Sequence, residues 1–370
     1  MLAMWLMELS LLNFKNYDEL TIEFSPTVNV FYGHNGAGKT NLLDAVHYLS
    51  LCKSFFNPID SQQIKQGQEF FMIQGRFEKN DQNDVIVCSL KRHQKKKFQR
   101  NKKDYTRLAD HIGLYPLVMI TPNDSFLITE GSEERRKFVD NVISQTNATY
   151  LDLLISYNKV LQNRNSLLKQ NRTIRVDEEL LGIYNSQLVE LGEQIHEERK
   201  GFMDVFTKLF NRHYSFLTED AEHAQLVYDS QLNAGSFAEL LSRSFEKDLL
   251  LERTTTGIHK DDLLFSVNEM PLKKFGSQGQ QKSFVIALKL AQYTYLTQQK
   301  GFKPLLLLDD IFDKIDILRI RRLMMMISED EFGQIFITHT NKERIEELFE
   351  GISVDLRTFE IEKGVVKKVG

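Results

Sequence analysis

Residues 33–40 read Gly33-His34-Asn35-Gly36-Ala37-Gly38-Lys39-Thr40 and match the pattern GxxxxGK[ST]. The preceding segment, Val28-Asn29-Val30-Phe31-Tyr32, is β-branched and aromatic, which predicts a strand. After the loop, apolar residues recur at helical spacing: Leu42, Ala45, Val46 and Leu49. A strand, a glycine-rich loop and a helix in this order favour a phosphate-binding loop over the alternative of a plain glycine turn.

The chemistry of this phosphate loop follows from its backbone and two side chains. The glycines allow backbone N–H groups to turn toward a β-phosphate, and the helix N-terminus adds its positive end. Lys39 would reach the β and γ oxygens, and the Thr40 hydroxyl would be a ligand of Mg²⁺. We therefore predict that all eight residues contact a nucleotide, with ATP and Mg²⁺ as cofactors.

A second acidic element follows four consecutive leucines at residues 305–308. Such a run is typical of a parallel strand buried on both faces, and acids at its carboxyl end would lie beside the phosphates. Asp309 is predicted to hold Mg²⁺, largely through water, and Asp310 to polarise the attacking water. The alternative is that both acids only cap the following helix.

A serine-glycine turn precedes the apolar helix that begins near Phe284, in the sequence Phe275-Gly276-Ser277-Gln278-Gly279-Gln280-Gln281-Lys282. It resembles the signature loop of ABC ATPases. A turn of this kind at a helix N-terminus is a second anion site, suited to a γ-phosphate presented by another subunit. We predict that Ser277, Gln278, Gly279 and Gln280 contact nucleotide in an ATP-dependent homodimer; a simple polar N-cap is the alternative.

His339 follows the apolar residues 335–338, where ABC proteins have their switch histidine. It is predicted to contact the γ-phosphate or water, against the alternative of a solvated strand end. Asp316 falls at the dimer-contact loop of that class. The order of elements predicts an α/β fold: an ABC-type P-loop ATPase lobe with a mixed β-sheet.

The pattern of apolar residues changes after about residue 130. Strand-like segments dominate before it, including a hairpin formed by residues 6–14 and 20–24, whereas apolar residues at three- and four-residue steps follow, as in Leu181, Tyr184, Leu188, Leu191 and Ile195. We predict an ATPase lobe at residues 1–129 and 256–370. Residues 130–255 would form an inserted helical lobe with a short antiparallel coiled-coil-like arm.

Composition excludes several classes of protein. No apolar run approaches the roughly 20 residues that a membrane-spanning helix needs, so we expect a cytoplasmic protein with no membrane partner. Cys52 and Cys88 are the two cysteines, without a CxxC pair or a His/Cys cluster, which argues against a disulfide framework or a zinc site.

The formal net charge is −4, but residues 91–107 carry nine Lys or Arg against the single acid Asp104. We predict that this run, the basic hairpin, contacts DNA phosphates independently of base sequence. The candidate contacts are Lys95, Lys96, Lys97, Arg100, Lys102 and Lys103. Protection of an edge strand by lysines is the alternative.

Four further segments resemble the RecF family of bacterial recombination proteins, and the resemblance covers essentially the whole chain. They are residues 13–17 (NFKNY), 121–128 (TPNDSFLI) with 131–140 (GSEERRKFVD), 157–168 (YNKVLQNRNSLL) and 257–263 (GIHKDDL). Two departures are Ile258-His259-Lys260 where the family has Pro-His-Arg, and Lys282 where arginine is common. Residues 121–124 also lack the glutamine of the usual γ-phosphate sensor loop.

The resemblance implies a slow DNA-dependent ATPase that dimerises on ATP and binds DNA at single-strand gaps and duplex junctions. It also implies RecO and RecR as partners in loading RecA, and roles in replication restart and SOS induction.

Two other ABC classes share the nucleotide motifs. A transporter subunit would have a shorter helical insertion, and an SMC-type protein would need hundreds of coiled-coil residues between Lys39 and Ser277. A third alternative treats ATP as a structural switch with negligible turnover.

Overall fold

The computed structural model describes residues 4–170, 177–312 and 317–370. They form two compact units: unit 1 comprises Met1–Asp124 with Ile286–Gly370, and unit 2 comprises Ser125–Val285. Residues 171–176, within the predicted helical lobe, and Asp316 lie outside the described residues.

Unit 1 contains two six-stranded sheets. Its strands, numbered along the whole chain, are β1 (Met4–Phe14), β2 (Tyr17–Glu23), β3 (Val28–Tyr32), β4 (Phe70–Lys79), β5 (Gln82–Lys91), β6 (Lys97–Arg100), β7 (Lys103–Asp104), β8 (Leu117–Ile120), β12 (Leu305–Asp309), β13 (Ile335–His339), β14 (Leu356–Glu362) and β15 (Val365–Val369). One sheet is antiparallel in the order β2-β1-β4-β5-β6-β7, so the predicted edge hairpin is confirmed as β1 and β2.

The second sheet has the order β15-β14-β3-β13-β12-β8, in which only β15 is antiparallel to its neighbour. Its central strands β3, β12 and β13 are buried at every residue, as expected for parallel strands covered on both faces. The mixed sheet of the predicted α/β fold is therefore confirmed. Strands β14 and β15 were not predicted from the sequence.

Helix α1 (Lys39–Leu51) lies between the two sheets of unit 1. It contacts β4 and β5 of the antiparallel sheet and β8, β12 and β13 of the mixed sheet. Nearly every residue of α1 is therefore buried, including Leu42, Ala45, Val46 and Leu49. The helices α9 (Ile317–Ser328) and α10 (Lys342–Phe349) complete the unit.

Unit 2 is mainly helical. It contains α2 (Phe126–Thr129), α3 (Ser132–Thr146), α4 (Ala148–Gln170), α5 (Glu178–Thr218), α6 (Phe237–Leu251) and α7 (Leu272–Phe275), with a small antiparallel sheet of β9 (Ala224–Asp229), β10 (Asp262–Val267) and β11 (Met270–Pro271). Helix α8 (Gln278–Lys300) begins in unit 2 and ends in unit 1.

Helices α4 and α5 form the predicted antiparallel arm. Asn147 at the start of α4 donates to Glu198, Arg164 donates to Asn185, and Leu168 near the end of α4 clusters with Leu181. The partners on α5 thus come earlier as α4 advances, which defines antiparallel packing.

The compact units differ from the predicted lobes mainly at their second boundary. The sequence suggested residues 255 and 256, whereas the units divide at residues 285 and 286. The reason is packing within unit 2: β10 pairs along its whole length with β9, and Phe284 of α8 contacts the rings of Phe210 and Phe265. The predicted signature turn consequently belongs to unit 2.

Candidate functional site

The phosphate loop joins β3 to α1 in a conformation that only glycine fits easily. Gly33 has φ 146°, and a Cβ atom there would lie 2.2 Å from the Ile361 carbonyl oxygen of β14. Gly38 has φ 117°, and its Cβ would meet the Asn16 side chain at 2.5 Å. No acidic residue lies in the first turn of α1, so the helix N-terminus can receive an anion.

Asn16, Tyr17 and Gly364 hold the back of the phosphate loop. Asn16 Nδ2 and Gly364 N both donate to the Ala37 carbonyl oxygen, at 3.1 and 2.9 Å. The Tyr17 hydroxyl donates to the Gly38 carbonyl oxygen at 3.0 Å. Residues 13–17 carried part of the family resemblance, but no sequence pattern assigned them to the loop.

Lys39 is buried inside the loop. Its Nζ donates to the carbonyl oxygens of Gly33 and His34, at 2.6 and 3.0 Å. Burial lowers the pKa of Lys39, while the charges of Asp310 and Asp309 act in the opposite direction. The ammonium and the two carboxylates therefore belong to one electrostatic group.

Asp309 lies at the end of β12 beside Thr40. The Thr40 hydroxyl donates to Asp309 Oδ1 at 2.9 Å, and the Thr338 hydroxyl donates to the same oxygen at 2.7 Å. Burial raises the pKa of Asp309, although both hydroxyl contacts oppose this effect. An adjacent hydroxyl and carboxylate suit Mg²⁺, which takes few protein oxygens and completes its shell with water and phosphates.

Asp310 has an unusual backbone and a free carboxylate oxygen. Its φ is 49°, in the left-handed region, and its N–H donates to the Thr338 hydroxyl at 2.9 Å. The Oδ1 atom is buried and has no hydrogen-bond partner among the described residues. A buried oxygen left in this way is suited to accept a proton or a hydrogen bond from water.

Strand register brings further polar groups to the same edge of the mixed sheet. Asp309 pairs with Thr338, Ile120 pairs with Leu308, and His339 pairs with Tyr32 just before the phosphate loop. His339 Nδ1 accepts the Asn341 N–H at 2.9 Å, so its proton lies on Nε2. The sheet therefore assembles the predicted residues of unit 1.

Residues 121–124 follow β8 at this edge. Asp124 accepts the Thr121 N–H at 2.6 Å and pairs with Lys289 at 2.6 Å, so its carboxylate is already used internally. The Thr121 hydroxyl is buried without a hydrogen-bond partner among the described residues. Thr121 is thus a polar group that the sequence did not single out.

The signature turn caps α8 in unit 2. Gln280 N–H donates to Ser277 Oγ at 3.2 Å, and Ser277 N–H donates to Gln280 Oε1 at 2.8 Å. This reciprocal pair is a capping box. Ser277, Gln278 and Gly279 lie at the helix N-terminus as predicted. The two hydrogen bonds between Ser277 and Gln280 are those expected from the alternative, a polar N-cap.

Only part of the basic hairpin is available for a ligand. Lys96 Nζ lies 2.8 Å from Asp60 Oδ2, and Arg100 contacts both carboxylate oxygens of Asp84, at 3.0 and 2.9 Å. The remaining candidates are exposed, and none forms an ion pair within the part of the chain that the structure describes: Lys95, Lys97, Lys102 and Lys103.

Among the described residues, no helix is both long and apolar enough to cross a membrane. Cys52 and Cys88 are both free and buried.

Comparisons with known proteins identify the family of the chain. A family profile described as the RecF/RecN/SMC N terminal domain matches residues 5–363. The chain is 50% identical over 361 residues to the DNA replication and repair protein RecF of Flavobacterium johnsoniae, covering 97% of this chain and 100% of that protein. It is 46% identical over 368 residues to RecF of Bacteroides thetaiotaomicron, covering 99% of each.

Solved structures extend the likeness to the fold. A RecF–ATP structure of the RecFOR pathway superposes with a TM-score of 0.90 at 30% identity, covering 100% of this chain and 98% of that chain. The Smc head domain of Pyrococcus furiosus gives a TM-score of 0.58 at 16% identity, covering 99% of this chain and 96% of that chain, a likeness of fold alone. The predicted ABC-type ATPase fold with its helical arm is confirmed, and the chain belongs to the RecF family of DNA replication and repair proteins.

Proposed function

We propose that this chain is an ATP-switched DNA-binding protein of recombinational repair, which works as a homodimer in the cytoplasm. The observation that carries the proposal is the contact between Thr40 and Asp309 at 2.9 Å, with Asp310 directly after it. This is the arrangement that Mg²⁺–ATP requires, and the similar RecF whose structure includes ATP supports it.

The nucleotide would be held by the phosphate loop. Backbone N–H groups of residues 33–40 would surround the β-phosphate, and Lys39 would move from the Gly33 and His34 carbonyl oxygens to the β and γ oxygens. Thr40 and Asp309 would hold Mg²⁺, which offsets phosphate charge when bound.

Hydrolysis would depend on the groups at the adjacent strand ends. Asp310 Oδ1 would accept a hydrogen bond from the attacking water, and the buried Thr121 hydroxyl would help to orient that water. His339 would donate from Nε2 to the γ-phosphate or the water. Thr338 would position both acids, because its hydroxyl contacts Asp309 and the Asp310 N–H.

Dimerisation would follow from the signature turn. Ser277, Gln278, Gly279 and Gln280 lie at the N-terminus of a long helix, where an anion is favoured. We propose that they bind the γ-phosphate of ATP held by a second chain, so that ATP binding closes the dimer and hydrolysis opens it.

DNA binding would use the exposed part of the basic hairpin. Lys95, Lys97, Lys102 and Lys103 are available, whereas Lys96 and Arg100 are engaged with Asp60 and Asp84. Contacts to single-stranded and gapped duplex DNA would be sequence-independent and sensitive to salt. RecO and RecR as partners, RecA loading at gaps, replication restart and SOS induction are proposed from the family and from the RecFOR pathway of its solved members.

Sedimentation with ATP, with ADP and without nucleotide tests the dimer directly. We expect a dimer only with ATP, and a longer-lived one for Asp310→Asn because that variant lacks the proposed base. Asp81→Asn, at an exposed hairpin turn, is the matched control and should behave like the parent. A monomer under all conditions would remove the shared-ATP proposal, and equal dimer lifetimes would remove Asp310 as the base.

A further inference from the structure

A second group of cations lies on unit 2, in segments that are distant along the chain. Arg136 belongs to α3, Lys247 to the last turns of α6, Arg253 follows that helix, and Lys260 ends a short 3-10 turn. We name these four residues the unit 2 cation cluster. Arg136 is half-buried and the other three are exposed.

Hydrogen bonds to backbone carbonyl oxygens join the segments that carry these cations. They are Arg136 Nη1 to Asp261 O at 2.7 Å, His259 Nε2 to Thr254 O at 3.1 Å, and Arg253 N to Asp248 O at 3.1 Å. Each bond involves a cluster residue or its immediate neighbour in sequence. The four positive charges therefore share one surface.

The carboxylates near this surface are already paired with other arginines. The pairs are Asp248 with Arg164 at 2.8 Å, Asp261 with Arg199 at 2.7 Å, and Asp262 with Arg135 at 2.6 Å. Within residues 4–170, 177–312 and 317–370, no carboxylate forms an ion pair with the cluster.

The cluster residues also act on one another. Partial desolvation of the Lys260 ammonium lowers its pKa, and the charges of Arg253, Arg136 and Lys247 lower it further, while Asp248 opposes them. Like charges held together without counter-ions raise the free energy of the unliganded surface, so a polyanion that neutralises them binds favourably.

The exposure of the cluster decides what kind of anion fits. A small anion is normally enclosed by buried donors, whereas exposed lysine and arginine side chains spread over several segments match the regularly spaced charges of a nucleic acid. We propose that the unit 2 cation cluster contacts backbone phosphates of DNA, as a second surface besides the basic hairpin. This inference rests on the proposed DNA-binding function.

The test compares two double charge reversals on unit 2. Arg253→Glu/Lys260→Glu changes the cluster, and Lys208→Glu/Arg212→Glu changes two exposed cations on α5 by the same total charge. Binding of a labelled gapped duplex is measured over a range of salt concentrations, with ATP binding as a check on folding. We expect the slope of log K against log salt to fall by about 2 for the cluster variant and to stay unchanged for the α5 variant.

The outcomes separate this inference from the function on which it rests. An unchanged slope in the cluster variant, or an equal loss in the α5 variant, overturns the cluster as a DNA contact while DNA binding itself stands. A parent chain that does not bind the gapped duplex overturns the proposed function as well. Weaker binding of polyglutamate with unchanged DNA affinity would identify a protein-docking surface and contradict the proposal.

Discussion

The basic hairpin and the unit 2 cation cluster differ in how the spacing of their cations along the chain relates to the charge that stays unpaired in the fold. The hairpin is one contiguous run, yet the fold engages Lys96 and Arg100 with Asp60 and Asp84. The cluster is dispersed along the chain, yet it remains without carboxylate partners among the described residues. The number of basic residues in a stretch of sequence therefore does not predict how many of them lack an ion-pair partner, because a neighbouring strand or turn can supply the carboxylate.

The largest effect we expect concerns the buried pair beneath the cluster. Arg164 and Asp248 are 2.8 Å apart and both fully buried, so Arg164→Met leaves the buried Asp248 carboxyl without its ion-pair partner. The free energy of unfolding should fall by about 3–5 kcal/mol. Urea denaturation followed by circular dichroism measures it.

The control for that variant is Arg253→Gln, which changes an exposed cation of the same surface. It should alter the free energy of unfolding by no more than about 0.5 kcal/mol. Equal losses in the two variants would mean that the buried pair does not organise this surface.

The next effect is acid sensitivity in both regions. His111 contacts Tyr105 beneath the hairpin, and His259 lies beside Lys260 and hydrogen-bonds Tyr157. Burial lowers the pKa of each imidazole to about 4. The unfolded chain therefore binds more protons below a pH of about 6.5, and stability is lost as the pH falls from about 6.5 to about 4.

Stability measured against pH tests this sign. Each histidine should contribute a loss of up to about 3 kcal/mol across that range, because a tenfold difference in proton affinity between the folded and unfolded chain corresponds to about 1.4 kcal/mol. His111→Gln and His259→Gln should each flatten the acid limb. A parallel acid limb in either variant would exclude that histidine as a source.

A smaller effect separates the engaged from the free cations of the hairpin. Arg100→Gln removes both contacts to Asp84, which keeps hydrogen bonds from Tyr115 and Asn101. Because Arg100 is partly exposed, we expect a loss of about 1–2 kcal/mol in the free energy of unfolding. Lys103→Gln, at an exposed position without an ion pair among the described residues, should be neutral in the same urea titration.

The smallest effect concerns DNA. Lys97→Gln should lower the salt slope of binding by about 1, because one phosphate contact is lost. Lys96→Gln should leave the slope unchanged, since its ammonium is already held by Asp60 and the Cys52 carbonyl oxygen. Identical slopes for the two variants would remove the distinction between engaged and free lysines.

Much of unit 1 was predictable because its signals are local. The apolar composition of three segments is enough to predict a buried strand: the residues before Gly33, the leucines before Asp309 and the residues before His339. Strands β14 and β15 were missed because half-polar residues such as those of Leu356–Glu362 become a strand only by pairing with β3. The second unit boundary was missed because it depends on Phe284 contacting distant rings.

The residues of the candidate site also fall into those that the local sequence predicts and those that depend on the tertiary fold. Lys39, Thr40, Asp309 and Asp310 follow from motif spacing, since each chemistry requires its residue type. Thr338 and Thr121 could not be found so, because a threonine at a strand end is common. Only sheet register places Thr338 opposite Asp309, and Thr121 directly after Ile120, the partner of Leu308. Asn16 contacts the loop only through the tertiary fold.

The two hydrogen bonds to the Ala37 carbonyl oxygen affect the order in which the chain folds. Asn16 and Gly364 reach that single atom from segments nearly the whole sequence apart. The Gly364–Ala37 hydrogen bond spans most of the chain, and contacts of such high sequence separation form slowly, after local helices have appeared. During refolding, recovery of nucleotide affinity should therefore lag behind recovery of helical content. The loop takes its binding shape only once the β1–β2 turn and the β14–β15 turn have both packed against it.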